Sequence, residues 1–300
     1  MNKGGFITLH KHKARRTAGF TIIETMIVLA VSGVIFASAM VLVQRRQPEA
    51  EFQQAINDTV TIIRQNVHDV AVGYYPNSGD IQCKELGELQ ITSATAGQGE
   101  NQGCIFLGKI MQFGVPGDTG GNQQEIVYTL AGCQHQHCSN GTFALEATSL
   151  ADAQPKVIAP TTSDTSVPDK TQAVSIENGL SLHAMHFTDT GGTSHSAVAF
   201  GALQSFGTYA GNCSGGLCSG SQQTALYGVT NASPSCSDPH NTAEQDKQCL
   251  AGQADIPSNL VAASEVTMCF QSATTEQSGL ITVAGDGTVG VKIFSSKDCS

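Results

Sequence analysis

Between Phe20 and Val43 the chain reads FTIIETMIVLAVSGVIFASAMVLV, a run of 24 residues in which Glu24 carries the only charge. At about 1.5 Å per residue, such a helix reaches across a hydrocarbon core about 30 Å thick. The pattern then changes. In EAEFQQAINDTVTIIRQNVHDVAV, residues 49–72, apolar side chains recur at Phe52, Ile56, Val60, Ile63, Val67 and Val70. Steps of three and four predict an amphipathic helix, with one apolar stripe and Gln, Asn, Asp and Arg64 opposite it. Pro48 suits a first turn or a kink. GYYPNSG at 73–79 supplies the stop through Gly73, Pro76 and Gly79. His68 on this helix is read as facing solvent.

Further along, the period becomes two. CIFLGKIMQF (104–113), EIVYTLAGC (125–133), GTFALEA (141–147), GLSLHAMHF (179–187) and HSAVAFGAL (195–203) read as strands. SEVTMCFQS, SGLITVA and GTVGVKIF close the chain in the same manner. Gly191-Gly192 signals a hairpin, and GDG at 285–287 turns the last one. Residues 148–175 are rich in Pro, Ser, Thr and Asp without periodicity, and are expected to form a flexible linker or exposed loop between two strand-rich lobes. A second irregular stretch, rich in cysteine, runs from about 205 to 255. The fold class these elements predict is α+β. A long N-terminal helix, membrane-spanning in its first half and amphipathic in its second, packs on an antiparallel, β-sheet-rich, disulfide-stapled head.

Composition fits a strand-and-turn body: charged residues make up only 13%, Gly reaches 32 and Trp is absent. Charge is distributed unevenly. Lys3, Lys11, Lys13, Arg15 and Arg16 fall within residues 1–19 with no acid, leaving 10 basic against 25 acidic residues in the remainder. So acidic a body repels nucleic-acid phosphates, and no nucleic-acid partner is expected. The basic cluster before the apolar run sets the N-terminus inside and sends the chain after about residue 44 across the membrane. An ordinary secretory signal has a shorter apolar region, so cleavage near Ser38 and Ala39 is disfavoured.

All ten cysteines, Cys83, Cys104, Cys133, Cys138, Cys213, Cys218, Cys236, Cys249, Cys269 and Cys299, lie beyond the apolar run. An even number confined to the exported part predicts disulfides formed in an oxidising compartment. Sequence leaves their connectivity open; Cys133–Cys138, Cys213–Cys218, Cys236–Cys249 and Cys269–Cys299 are the candidate pairs.

The stretch GFTIIETMIVLAVSGVIFASAM resembles the type IV prepilin N-terminal signal shared by pilins, minor pilins and type II secretion pseudopilins. The basic leader, Gly19 before the cut, Phe20 as first mature residue and Glu24 as mature residue five carry the resemblance. It implies that a membrane prepilin peptidase cuts after Gly19 and methylates the Phe20 amine. It also implies other pilin subunits and a membrane assembly platform as partners. The helix-kinking proline of many major pilins is absent, with Val41 near its place. The domains expected are a cleaved leader (1–19), a membrane or filament-core helix (20–46), its amphipathic extension (47–75) and an exported head (76–300).

Physics gives Glu24 a task in such a protein. A carboxylate at membrane depth costs roughly 2.5–3.5 kcal/mol, and the freed Phe20 amine is a second costly charge. Glu24 of one subunit pairing with the amine of a neighbour neutralises both, so the pair checks register during assembly.

Enzyme signatures are weak. GDTGG at 117–121 resembles the nucleophile loop of trypsin-like serine proteases, but Thr119 stands where serine is needed and no histidine motif precedes it. CQHQHC at 133–138 offers zinc-ligand types without the usual spaced cysteine pairs, so a disulfide with exposed histidines is the reading. His183 and His186, with His195 across the hairpin, are read as surface residues. Asp286 in GDG resembles the calcium loop of some pseudopilins, yet a single acid suits a turn. No P-loop, dinucleotide fingerprint or metalloprotease helix occurs. No catalytic residue, metal or cofactor is therefore expected.

Sequence thus points to a structural subunit of a type IV pilus or pseudopilus, minor rather than major because the head is large. It would sit in the cytoplasmic membrane with its N-terminus inside and then enter an extracellular or periplasmic fibre. The alternative is a membrane-anchored exported binding protein or enzyme with a prepilin-type signal.

Overall fold

The computed structural model describes residues 19, 21–74, 81–85, 89–93, 104–114, 124–133, 149–160, 169–176, 179–204, 224–230, 250 and 259–299; of 42–46, 81–85, 89–93, 104, 124, 151 and 175 it gives the backbone alone. Helix α1 runs Ile22–Ala71 and contains Pro48. The chain divides into two compact units, Met1–Gln47 and Pro48–Ser300. In the first unit, the helix from Ile22 to Val41 is apolar and long enough to cross a membrane, and no part of it is buried.

The second unit is built around a sheet. The expected stripe of α1 is its apolar seam: Phe52, Ile56, Val60, Ile63, Val67 and Val70 are all buried. They join one core cluster with Met111, Phe113, Phe187, Phe200, Met268, Phe270 and Ile281 from the strands. The helix closes where the glycine was expected to stop it. Gly73 takes φ 68°, its N–H donates to Val70 O and that of Tyr74 to Asp69 O. This is a Schellman cap, which needs a left-handed residue at that position.

The strands are β1 (Ile81–Glu85), β2 (Leu89–Ser93), β3 (Cys104–Phe113), β4 (Gln124–Cys133), β5 (Lys156–Val157), β6 (Gln172–Ser175), β7 (Leu180–Asp189), β8 (Ser194–Ser196), β9 (Ala199–Gln204), β10 (Thr224–Val229), β11 (Leu260–Ser272), β12 (Ser278–Ala284) and β13 (Val289–Phe294). Among the described residues, β1 and β2 form a separate hairpin and the rest form one sheet. Its order is β13-β12-β11-β10-β9-β3-β4-β5, with β6 on β4, β7 on β11 and β8 on β7. Every pairing is antiparallel. The α+β class, with a long helix on an antiparallel sheet, is therefore the observed one.

Side-chain alternation puts different residues on the two faces. Met111, Phe113 and Val127 meet the core under α1. Ile110, Ile126, Tyr128, Leu130 and Leu203 form a second cluster, which Ala153, Val157, Ala159 and Leu250 help to complete. Strands β3, β4 and β9 are thus buried on both faces, which explains their nearly continuous apolar sequences. Gly108 sits at the bulge in β3 with φ 150°, where a Cβ would lie 2.2 Å from Ala202 O. Only glycine lets β9 approach that closely.

Two expectations change. Residues 148–175 were expected to form a linker or exposed loop, but their described parts supply α2 (Leu150–Ala153), β5 and β6, and bury Ala153, Val157, Ile158 and Ala159. The apolar run Val157-Ile158-Ala159 is too short to give a periodic signal, yet Val157 and Ala159 help to close the second core. The cysteine-rich stretch from about 205 to 255 was read as irregular, yet it contains β10, paired on both sides with β9 and β11. The expected strand at 141–147 lies outside the described residues.

Candidate functional site

The N-terminal turn of α1 shows how its sequence is used. Thr21 precedes the first helical residue, and its Oγ1 accepts a hydrogen bond from Glu24 N–H at 3.3 Å. TIIE is thus a Thr-x-x-Glu helix start, with Thr21 as N-cap and Glu24 three positions on. A carboxylate there also complements the helix dipole. Sequence reading gave Glu24 its assembly role and overlooked this local one; the spacing of Thr21 and Glu24 was the available signal. Gly19 is exposed, and among the described residues no atom lies within 4 Å of where a Cβ would stand. Phe20 lies outside the described residues.

The polar side chains within the apolar run are satisfied internally. Thr25 Oγ1 donates to Ile22 O at 2.8 Å, Ser32 Oγ to Val28 O at 2.6 Å and Ser38 Oγ to Val34 O at 2.8 Å. In hydrocarbon each hydroxyl therefore has a partner from its own helix. The large apolar side chains from Ile22 to Val41 are 53% to 79% exposed. Such a surface belongs in lipid or against other helices. Glu24 is likewise exposed, so its carboxylate is accessible.

In the head, two buried ionisable groups went unrecognised in the sequence. Lys109 on β3 is 5% exposed. Its Nζ lies 2.6 Å from Asp69 Oδ2 and donates to Asn66 Oδ1 at 3.0 Å. The ammonium thereby joins the sheet to the last turns of α1. Glu125 on β4 is 1% exposed, and its Oε1 has no hydrogen-bond partner among the described residues. Phe113 and Val174 stand opposite it on the neighbouring strands. Burial pushes its pKa up to about 8, so the side chain is held largely neutral at pH 7.

The remaining sequence candidates separate. Cys269 and Cys299 are joined, with Cα atoms 5.9 Å apart, as expected. Cys133 is disulfide-bonded, so it offers no thiolate to a metal; the register places Cys104 directly across from it. Cys138, Cys213, Cys218, Cys236 and Cys249 lie outside the described residues, as do His135, His137 and the GDTGG segment, and Cys83 is described by its backbone alone. His195 turns from the other two strand histidines to stack on Phe187, with Nε2 3.0 Å from Asp189 Oδ2. That hydrogen bond, with those from Thr193 and Gly191, holds the Asp189 carboxyl below its ordinary pKa. His68 is exposed. Asp286 accepts from both N–H and Oγ1 of Thr288, as a turn residue does. Among the described residues no group of three His, Cys, Asp or Glu is placed to hold a metal ion.

Residues 14–40 match the family model for the prokaryotic N-terminal methylation motif. This is the type IV prepilin-like signal, and it supports a type IV pilin-like or pseudopilin subunit that is membrane-anchored and exported. Such a signal implies processing by prepilin peptidase and assembly with other pilins in a membrane machinery. No curated protein and no solved structure matches the chain.

Proposed function

We propose that this chain is a structural subunit of a type IV pilus or related pseudopilus, and a minor rather than a major one. The methylation motif at 14–40, which contains nearly all of the unburied apolar helix Ile22–Val41, carries this reading. Prepilin peptidase removes residues 1–19 and methylates the amine of Phe20. The helix remains in the cytoplasmic membrane with its N-terminus inside until the assembly platform extracts it. In the fibre, Glu24 of one subunit pairs with the Phe20 amine of its neighbour, and the two charges leave the hydrocarbon together. The size of the head and the absence of the helix-kinking proline near Val41 favour a minor subunit.

Co-expression of the full chain with a prepilin peptidase tests the first step. Mass spectrometry of the product should find an N-terminus at Phe20 carrying one methyl group. A product retaining residues 1–19, or one starting beyond residue 36, overturns the reading. For the second step, Glu24→Ala should be processed normally yet fail to enter fibres. Normal entry would remove the role given to Glu24.

A further inference from the structure

Strand β3 changes its register against β4, and the change sets two cysteines opposite each other. From Phe113↔Glu125 to Gly108↔Leu130 the pairing is regular. Past the bulge it continues Phe106↔Ala131, Ile105↔Gly132 and Cys104↔Cys133. Had the first register run on, Cys133 would face Ile105. The shift falls beside Gly108, where a Cβ would lie 2.2 Å from Ala202 O, so the close approach of β9 fixes the position of the bulge. A slip of one residue exchanges every later partner in the ladder. Here it decides that cysteine meets cysteine.

Directly opposed residues of an antiparallel pair share one face of the sheet and hold their Cα atoms about 4.5–5.5 Å apart. A disulfide accepts Cα separations of roughly 4.4–6.8 Å, and the Cys269–Cys299 bond forms at 5.9 Å. Cys133 is itself disulfide-bonded and fully buried. Alternation places it on the face of Ala131, and Cys104 on the face of Phe106, which packs against the main core. No other described cysteine shares this ladder. Cys83 faces Ile91 in the separate β1–β2 hairpin, and Cys269 and Cys299 are joined to each other. On the far side of β4, the register of β5 ends at Ala131 and brings no cysteine to Cys133.

We propose that Cys104 and Cys133 form a disulfide across β3 and β4. This pairing replaces the local closure Cys133–Cys138 expected from the sequence and leaves Cys138 to a partner other than its near neighbour. Six cysteines then remain to be joined: Cys83, Cys138, Cys213, Cys218, Cys236 and Cys249. Formation of the bond takes two protons and two electrons from the Cys104 and Cys133 thiols. A disulfide-bearing thiol oxidant of the exported compartment accepts them and becomes a dithiol. The bond closes the end of the β3–β4 pair opposite its turn, in the ladder that also carries Lys109. It requires an oxidising compartment and is independent of fibre assembly.

The test maps the disulfides of the full-length exported chain, alkylated and digested with trypsin in denaturant without reductant. Cleavage after Lys84, Lys109 and Lys156 places Cys104 alone in residues 85–109, and Cys133 with Cys138 in 110–156. The two peptides should stay linked until reductant is added, and electron-transfer fragmentation should locate the bond at Cys133. A bond within 110–156, a bond from Cys104 to Cys138, or Cys133 joined to any other peptide would overturn the proposal. Variants give a second readout. Cys104→Ser should release one thiol, alkylated at Cys133 with Cys138 still blocked, and a label at any other cysteine would count against the pairing. The double variant Cys104→Ser, Cys133→Ser should release none, and a remaining thiol would likewise refute it. Should a variant fail to fold, the map of the unaltered chain still decides. The two readings fail separately, because an unprocessed N-terminus sinks the pilus reading without changing this bond.

Discussion

Lys109 shows what a strand pattern hides. Within CIFLGKIMQF it reads as the polar step of an alternating strand, and its burial follows only because α1 brings Asp69 and Asn66 over it. A buried charge left without its partner costs about 3 kcal/mol or more. Lys109→Met should therefore lower the unfolding free energy in urea by about 3 kcal/mol, because Asp69 stays in place at 18% exposure. The double variant Lys109→Met, Asp69→Leu should recover most of that loss, since neither charge then needs a partner. Glu125 presents the opposite case, a carboxyl buried beside Phe113 and Val174 with one oxygen unpaired among the described residues. Its folded pKa of about 8 lies above the ordinary 4.5, so the native state binds the proton more tightly than the unfolded chain does. The stability this contributes is complete below pH 4.5 and is lost progressively as pH rises through 8, by several kcal/mol in all. Urea unfolding followed from pH 5 to 9 should show that decline, and Glu125→Gln should flatten it. A slope unchanged by the substitution would assign the decline to another group.

Elements were legible where one periodicity ran long enough. The α1 stripe, the apolar runs of β3 and β4, and the strands β7, β12 and the closing hairpin all fall where the apolar pattern put them. Short strands such as β5 and β6 offer too few residues for a period. β10 lies within a cysteine-rich stretch and is defined by its two neighbours rather than by its own sequence. The N-terminal motif was legible for a different reason: its residues are consecutive, so no folding is needed to assemble them. Lys109, Asp69 and Glu125 required tertiary contacts to become visible. Two element-level devices carry measurable energy. Gly73 holds the left-handed cap of α1, and Gly73→Ala should cost about 1 kcal/mol in thermal or urea unfolding. The Cys269–Cys299 bond closes a separation of 30 residues. By chain entropy its removal through paired alanines should cost about 3–4 kcal/mol, read as a lowered urea midpoint.

At the scale of the whole molecule, the division at Pro48 separates two solvents. Residues Ile22–Val41 bury nothing within the chain, whereas Phe52 through Val70 are part of the head's main core. The two halves of one helix therefore have opposite requirements, and the position of a truncation decides the outcome. A fragment beginning at Pro48 keeps every stripe residue from Phe52 onward and sheds the apolar surface. It should be soluble without detergent, monodisperse in size-exclusion chromatography, and unfold in one cooperative transition. A fragment beginning at Gly73 loses Phe52, Ile56, Val60, Ile63, Val67 and Val70 together, exposing the facing sides of Phe270, Phe200 and Met268. Each deleted side chain is worth roughly 1.5–3 kcal/mol of burial, so their sum exceeds the net stability of a typical domain. That fragment should aggregate, or bind a hydrophobic dye without a cooperative transition. If it instead folds as well as the longer one, the helix does not hold the sheet together.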